Sequence, residues 1–289
     1  MNYIYKKIAD LKPLYEYYCK IRGNVPYWLD ADFDLWLECM QSDRDYDGEL
    51  MFSGLETAVA LSEQGIEGFV QYGISRFVYG EDGKDFGEQC GIIRGLYFGE
   101  GSCCGRELMR LAEEYFAQNG VKKRSAFYHA FGMTCNAGHG KLFCGLPHIE
   151  QVLLDFGYIK EHENVYYSRR LTELDAQPPG DISVEYGGKN PQGKRQFTVK
   201  RYGEYVGAGE LVYLSQGEMC YLRWIYTEEK WQGKGCASAA LRHIFADLYA
   251  DGIRRTDTDT ADGNLIAQRL YLKVGFTDMG RTRSYLRKR

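Results

Sequence analysis

The chain has 289 residues, 44% of them hydrophobic and 26% charged, which is ordinary globular usage with enough apolar mass for one large or two ordinary packed domains. A net charge of −4 counts against a nucleic-acid surface, which needs clustered Lys and Arg to displace counterions, but it leaves room for a local basic groove around a small polyanion. No run approaches the ~20 apolar residues of a membrane helix, and the first residues, Met1 to Lys7, carry no apolar signal-peptide core, so a cytoplasmic protein without a membrane partner is expected. The nine scattered cysteines suit a reducing compartment, and adjacent Cys103 and Cys104 read as small buried hydrophobes.

In chain order, helical periodicity covers about 10–21 and 30–41, and strand-like segments follow near 49–62, 68–79 and 90–98. A Gly/Cys-rich turn, Gly99 to Gly105, precedes a helix with Leu108, Leu111, Ala112, Tyr115 and Phe116 on one face. A strand near 125–131 comes next. Then comes a helix with Ile149, Val152, Leu153 and Phe156, ending at Gly157-Tyr158. Between them Cys135, His139, Cys144 and His148 are spaced Cys-x3-His-x4-Cys-x3-His, with His129 nearby. These are ligand types that zinc takes. The spacing matches no standard zinc module and Gly138-His139-Gly140 reads as a loop, so no metal is expected.

Residues 171–182, with Asp175-Ala176-Gln177-Pro178-Pro179-Gly180-Asp181, are polar Pro/Gly punctuation between two halves. They predict domains 1–172 and 173–289. The second half opens with strands near 196–201, 205–214 and 219–227. A glycine-containing turn then starts a helix in which Ala237, Ala240, Leu241, Ile244, Phe245, Leu248 and Tyr249 keep helical spacing, stopped by Asp251-Gly252. A strand near 253–260 follows, then a helix over 264–274 with Ala267, Leu270, Tyr271 and Val274 on one face. Gly275 sits where a left-handed C-cap belongs, with Phe276 behind it. A last strand is predicted near 282–286. The order of elements repeats that of the first half, an internal duplication. Only the first half has the pair of opening helices.

A strand running into a glycine-rich turn and a helix N-terminus makes an anion site, because unpaired N–H groups and the helix dipole face outward. Glycines let a pyrophosphate approach, and Lys234 adds a cation. A lone Gly-x-Gly is more often only a tight turn. No Gly-Lys-Ser/Thr closes this one as a Walker loop would, and Ser238 breaks a Gly-x-Gly-x-x-Gly fingerprint.

The segment Gln232-Gly233-Lys234-Gly235-Cys236-Ala237 resembles the Gln/Arg-x-x-Gly-x-Gly/Ala pyrophosphate signature of the GNAT superfamily of N-acetyltransferases. Residues Asn264 to Phe276 resemble that family's second signature, Asn-x-x-Ala-x-x-x-Tyr-x-x-x-Gly-Phe. The resemblance is close over about 196–286 and extends to the first half only in pattern. It implies an α/β (α+β) fold of two GNAT-like domains in tandem, each a mixed, mostly antiparallel twisted sheet flanked by helices. It implies acetyl-CoA as co-substrate and a primary amine, most simply on a small molecule, as acceptor. A monomer or homodimer is equally compatible.

The resemblance also assigns roles. Backbone N–H groups at Ile225, Tyr226 and Thr227 would meet the thioester oxygen and pair with the pantetheine arm. Tyr271 matches the tyrosine that protonates the leaving thiolate; periodicity alone makes it a core residue. Asn264 matches a pantetheine contact, and by position is equally a helix N-cap. Lys273 is either near the ligand or simply solvated. The general base is open among Asp257, Asp259 and Glu210. Cys236 has no adjacent activating group and reads as a small helix-facing residue. Aligning Gly157-Tyr158 with Gly275-Phe276 puts Leu153 opposite Tyr271 and Leu146 opposite Asn264, with Glu100 or Phe98 opposite Gln232. The first half therefore reads as a degenerate scaffold that also shapes the acceptor pocket. Two alternatives stand beside an active acetyltransferase. One is a silent acyl-CoA-binding sensor, which would not need Tyr271. The other is a tRNA-dependent aminoacyl transferase, disfavoured by the net charge and the intact turn.

Overall fold

The computed structural model describes every residue except 1–2, 46, 81–82, 132–138, 177–179, 215–217 and 288–289. The chain forms two compact units. One comprises Met1–Asp45, Glu49–Glu163 and Thr282–Arg289, the other Tyr46–Gly48 and Asn164–Arg281. Among the described residues no helix is long and apolar enough to cross a membrane.

The first part of the chain runs β1 (Ile4–Lys7), α1 (Lys12–Ile21), α2 (Phe33–Gln41), β2 (Phe52–Ser62), β3 (Gly65–Ser75), a small hairpin β4 (Val78–Gly80) and β5 (Gly83–Asp85), β6 (Cys90–Phe98), α3 (Cys104–Gln118), β7 (Lys123–Ala126), β8 (Leu142–Phe143), α4 (Pro147–Asp155) and β9 (Ile159–Arg170). The rest runs β10 (Ile182–Lys189), β11 (Lys194–Arg201), β12 (Glu204–Tyr213), β13 (Met219–Thr227), α5 (Cys236–Ala250), β14 (Arg255–Ala261), α6 (Leu265–Lys273) and β15 (Thr277–Arg287). The predicted tandem α/β arrangement of mostly antiparallel sheets is borne out.

In the first unit, β1, β2, β3 and β6 pair antiparallel and β6 pairs parallel with β7. In the second, β10 to β13 pair antiparallel and β13 pairs parallel with β14. Each sheet is continued by a strand from the other half of the sequence. Residues 164–170 of β9 lie antiparallel to β14, from Asn164↔Ala261 to Arg170↔Arg255. Residues 285–287 of β15 lie antiparallel to β7. The duplication extends to this detail, since Tyr167 faces Thr258 where Tyr285 faces Ala126.

The core of the second unit is the predicted face of α5, with Ala240, Leu241, Ile244, Phe245 and Leu248, packed with Leu211, Leu222, Phe197 and Val199 from the sheet. Val165, Tyr167 and Leu171 belong to the same core.

Five strands, β1, β5, β8, β9 and β10, have no counterpart in the sequence reading. β9 opens with four exposed residues, Ile159 to His162, so its alternation is masked by charge. The strand expected over 125–131 ends at Ala126 because Phe127 turns to a φ of 55°, a region that side-chain-bearing residues seldom adopt. Cys103 is exposed and only Cys104 is buried. They are consecutive at a helix start, about 100° apart around it, so one faces the core and the other does not.

Candidate active site

The second unit contains an opening in its sheet. The parallel β13–β14 ladder runs from Met219↔Arg255 to Leu222↔Thr258, while β13 continues to Thr227 and β14 to Ala261. Beyond Leu222, β13 stays paired with β12 on its other side and β14 with β9. Among the described residues the two strands therefore splay. A bulge coincides with the splay. Glu210 pairs with Trp224 and Leu211 with Leu222, which leaves Arg223 as the extra residue; such a bulge bends its strand out of the ladder. In a strand, N–H and C=O groups alternate sides, so part of the backbone over Ile225, Tyr226 and Thr227 faces the opening.

The strand ends in the glycine turn. Glu228 N–H donates to Val206 O at 2.8 Å and Gln232 Nε2 donates to Thr227 O at 3.1 Å, which folds the turn back on the strand end. Gly233 and Gly235 have φ of 71° and 80°, the left-handed region that favours glycine. Apart from the adjoining residues of the chain, no atom lies within 4 Å of where their Cβ atoms would be. Gln232, Gly233, Lys234 and Gly235 are all exposed, and Lys234 Nζ sits over the Trp231 ring. α5 starts at Cys236 without a side-chain cap, so its first N–H groups have neither an intrahelical nor a capping partner. Cys236 itself is buried, with Arg201 3.6 Å from its sulfur.

α6 brings up Tyr271. Asn264 is its N-cap, with Oδ1 accepting from Ala267 N–H at 3.2 Å. At the other end Phe276 N–H donates to Tyr271 O and Gly275 N–H to Leu272 O, a complete Schellman motif with Gly275 at φ 89°. A Cβ on Gly275 would also collide with the Arg169 guanidinium. The motif packs Phe276 against Tyr271 at 5.5 Å, and Tyr167 closes the other side at 5.5 Å. Tyr271 is pushed up to about 12, chiefly by burial and also by the Asp259 carboxylate, against the Thr258 hydroxyl that lowers it. Thr258 is the last paired residue at the splay, and its Oγ1 donates to Leu222 O at 2.8 Å. The Tyr271 hydroxyl thus lies near Thr258, where the β13–β14 pairing ends.

The three carboxylates differ. Asp257 is fully buried and accepts from Arg255 at 2.9 and 2.6 Å and from Tyr166 at 2.5 Å. Glu210 is buried between Arg223 at 2.8 Å and Lys194 at 3.3 Å. Asp259 is half-buried and accepts from Tyr221 and Asn164. Lys273 is exposed at the far end of α6, ~13 Å along the helix from Asn264. Periodicity did not single out Thr258, Tyr167 or Arg223; the paired register at the splay is what reveals them.

The first unit has the same frame with different contents. Its β6–β7 ladder ends at Ile93↔Ala126, and Arg94 is the extra residue of a bulge. Counting back from the first helical residue puts Glu100 opposite Gln232 and Cys103, with φ −86°, opposite Gly235. Ser102 Oγ accepts from Cys104 N–H at 3.3 Å, so the helix N-terminus is partly satisfied from within. Leu146 is the N-cap of α4 as Asn264 is of α6, and Leu153 is fully buried. The groove that remains is a cavity of about 290 Å³ walled by Val25, Trp28, Tyr97, Leu146 and Ile149, with Glu100 among its lining residues.

Of the suspected metal ligands, Cys135 lies outside the described residues. His139 Nε2 is 2.9 Å from Thr282 Oγ1, and His148 Nε2 is 2.9 Å from Phe98 O. Among the described residues no three His, Cys, Asp or Glu side chains converge.

Residues 158–276 match the model of the Acetyltransferase (GNAT) family. A tandem GNAT protein from the clavulanic acid biosynthesis pathway superposes with a TM-score of 0.57 at 12% identity, over 99% of this chain and 98% of that one. A GCN5-related N-acetyltransferase from Sphaerobacter thermophilus gives 0.66 at 13%, over 99% and 95%. A GCN5-related glucosamine N-acetyltransferase region of a fungal multi-domain β-N-acetylglucosaminidase gives 0.65 at 14%, over 99% of this chain and 38% of that one. No curated protein matches in sequence.

Proposed function

From the premise that this chain belongs to the GNAT acetyltransferase family in tandem arrangement, we propose that it transfers an acetyl group from acetyl-CoA to a primary amine of a small molecule, at one site in the second unit. The observation that carries the reading is the contrast between the two glycine turns. One is open, uncapped and beside Lys234; the other is shortened, occupied by Ser102 and fronted by Glu100. A carboxylate there repels a pyrophosphate, whereas bare N–H groups and a cation attract one. In this reading residues 173–289 supply the turn, the strand end and Tyr271, and residues 1–172 form the degenerate domain. Titration of the full chain with acetyl-CoA by calorimetry is expected to give one site per chain; two equivalent sites would overturn it.

Roles follow from which side of the splay each group occupies. Thr258 lies between Asp257 and Asp259 on β14, so its side chain points to the opposite face. A thioester in the opening meets Tyr271 from one face and Asp259 from the other. N–H groups over Ile225 to Thr227 hold the developing oxyanion, and Asn264 lies where the pantetheine arm enters. Tyr271 protonates the departing thiolate. Asp259, the least enclosed of the three carboxylates, accepts the amine proton directly or through water.

Because Tyr271 is raised to about 12, it stays protonated through neutral and mildly alkaline pH, as a proton donor requires. Tyr271→Phe is expected to keep acetyl-CoA affinity and to lower turnover by about 10²-fold, read as CoA release with an accepted amine. In the wild type, no alkaline fall in rate below about pH 10 belongs to this group. Asp259→Asn is likewise expected to keep acetyl-CoA affinity and to lower turnover by about 10²-fold. Unaltered rates in both variants would make the pair packing only.

A further inference from the structure

Both units place an arginine at the extra residue of the bulge that opens the splay. Arg223 stands between Leu222 and Trp224 across from Leu211 and Glu210. Arg94 stands between Ile93 and Gly95 across from Tyr72 and Gln71. Each reaches the side chain that flanks the bulge on the neighbouring strand. Arg223 Nη1 donates to Glu210 Oε1 at 2.8 Å, and Arg94 Nη1 donates to Gln71 Oε1 at 3.4 Å. Each acceptor is buried and held a second time. Lys194 Nζ is 3.3 Å from Glu210 Oε2, and Gln71 Nε2 donates to Met40 O at 2.9 Å and Thr57 Oγ1 at 3.2 Å.

The first unit has no counterpart of Tyr271 or Asn264, yet it keeps this pair. What the two units share is the bulge and the splay, not the acid. We propose that Glu210 is a positioning residue and not the general base. With Arg223 and Lys194 it clamps the bulge, so that the backbone over Ile225 to Thr227 keeps its aim at the opening. The role needs an acceptor oxygen rather than a charge, because a glutamine performs it in the first unit. What the opening holds rests on the acetyl-CoA reading; the clamp itself does not.

The test compares Glu210→Ala and Glu210→Gln in the full chain. Without ligand, amide hydrogen exchange over residues 223–227 is expected to accelerate about tenfold or more in E210A and to stay near wild type in E210Q. Acetyl-CoA affinity, by calorimetry, is expected to fall about tenfold in E210A and within twofold of wild type in E210Q, the scale of one lost hydrogen-bonded contact. A general base has no reason to move either quantity, so wild-type exchange and affinity in E210A would overturn the proposal. E210Q behaving like E210A would overturn the claim that a neutral acceptor suffices. If E210A does not fold, replacing Glu210 and Arg223 together by Leu and Met removes the buried carboxylate with its half-buried guanidinium partner at similar volume and carries the same two readouts. A wild type that does not bind acetyl-CoA sinks the functional reading, while the exchange comparison still decides the clamp.

Discussion

Replacing Gly235 by glutamate is expected to abolish acetyl-CoA binding while leaving the protein folded. Three effects add up. Gly235 has φ 80° as the residue before α5, and a side-chain-bearing residue there costs about 1–2 kcal/mol of backbone strain. Apart from the adjoining residues, no protein atom lies near its Cβ position, so the new side chain meets no neighbour in the fold and is free to occupy the space beside the first turn of α5. Its carboxylate then stands where a pyrophosphate would, and two unit charges ~4 Å apart near a protein surface repel by about 4 kcal/mol. Together these exceed the ~4 kcal/mol that a 10³-fold loss represents. Calorimetry is expected to detect no binding at concentrations that saturate the wild type, and the thermal midpoint to fall by only a few degrees. Gly235→Ala brings the strain without the charge, and a loss of about tenfold is expected from it. Unchanged affinity in the glutamate variant would remove the turn from the coenzyme site.

The parts legible in the sequence were those set by local rules. The two glycine motifs are backbone conformations that only glycine adopts cheaply. Gly233, Gly235 and Gly275 all have positive φ, so their chemistry is written in the residue type. The face of α5 is a 3.6-residue period, and the same period places Tyr271 inward. Asn264 shows how two readings of one residue coexist. Its Oδ1 caps α6, and capping is what fixes the side chain at the helix mouth. The parts that were not legible depend on partners distant in sequence. β9 alternates poorly because its first residues carry charge, and nothing near it predicts that Asn164 to Arg170 will pair with a strand some ninety residues on. The bulge pairs were missed for the same reason, although a signal existed. Cys90–Phe98 and Met219–Thr227 each carry an arginine at the fifth position and a tyrosine at the eighth, and aligning them would have set Arg94 against Arg223. The carboxylates were interchangeable in sequence because burial and ion pairing, not residue type, separate Asp257 and Glu210 from Asp259.

A fragment starting near Asp181, which keeps both signature motifs, is expected to lose acetyl-CoA binding altogether. The long segment of the second unit begins at Asn164, so this cut removes a strand of its own sheet. Seven register pairs between β9 and β14 disappear, from Asn164↔Ala261 to Arg170↔Arg255, and the β14 edge is left unpaired and prone to association. Val165, Tyr167 and Leu171 leave the core, each now almost wholly buried. At about 1.5–3 kcal/mol for each buried side chain of this kind, the loss is about 4–9 kcal/mol, comparable with the whole stability of a typical domain. The damage centres on the site, because Tyr167 is the ring against Tyr271 and pairs with Thr258 at the splay. Starting the fragment near Ile159 restores the strand and is expected to recover a cooperative unfolding transition and acetyl-CoA binding. The comparison therefore separates a missing strand from a missing first half. Circular dichroism and calorimetry on the two fragments read it directly. A soluble fragment from Asp181 with wild-type affinity would show that β9 is dispensable and that the signature-bearing residues hold the coenzyme without it.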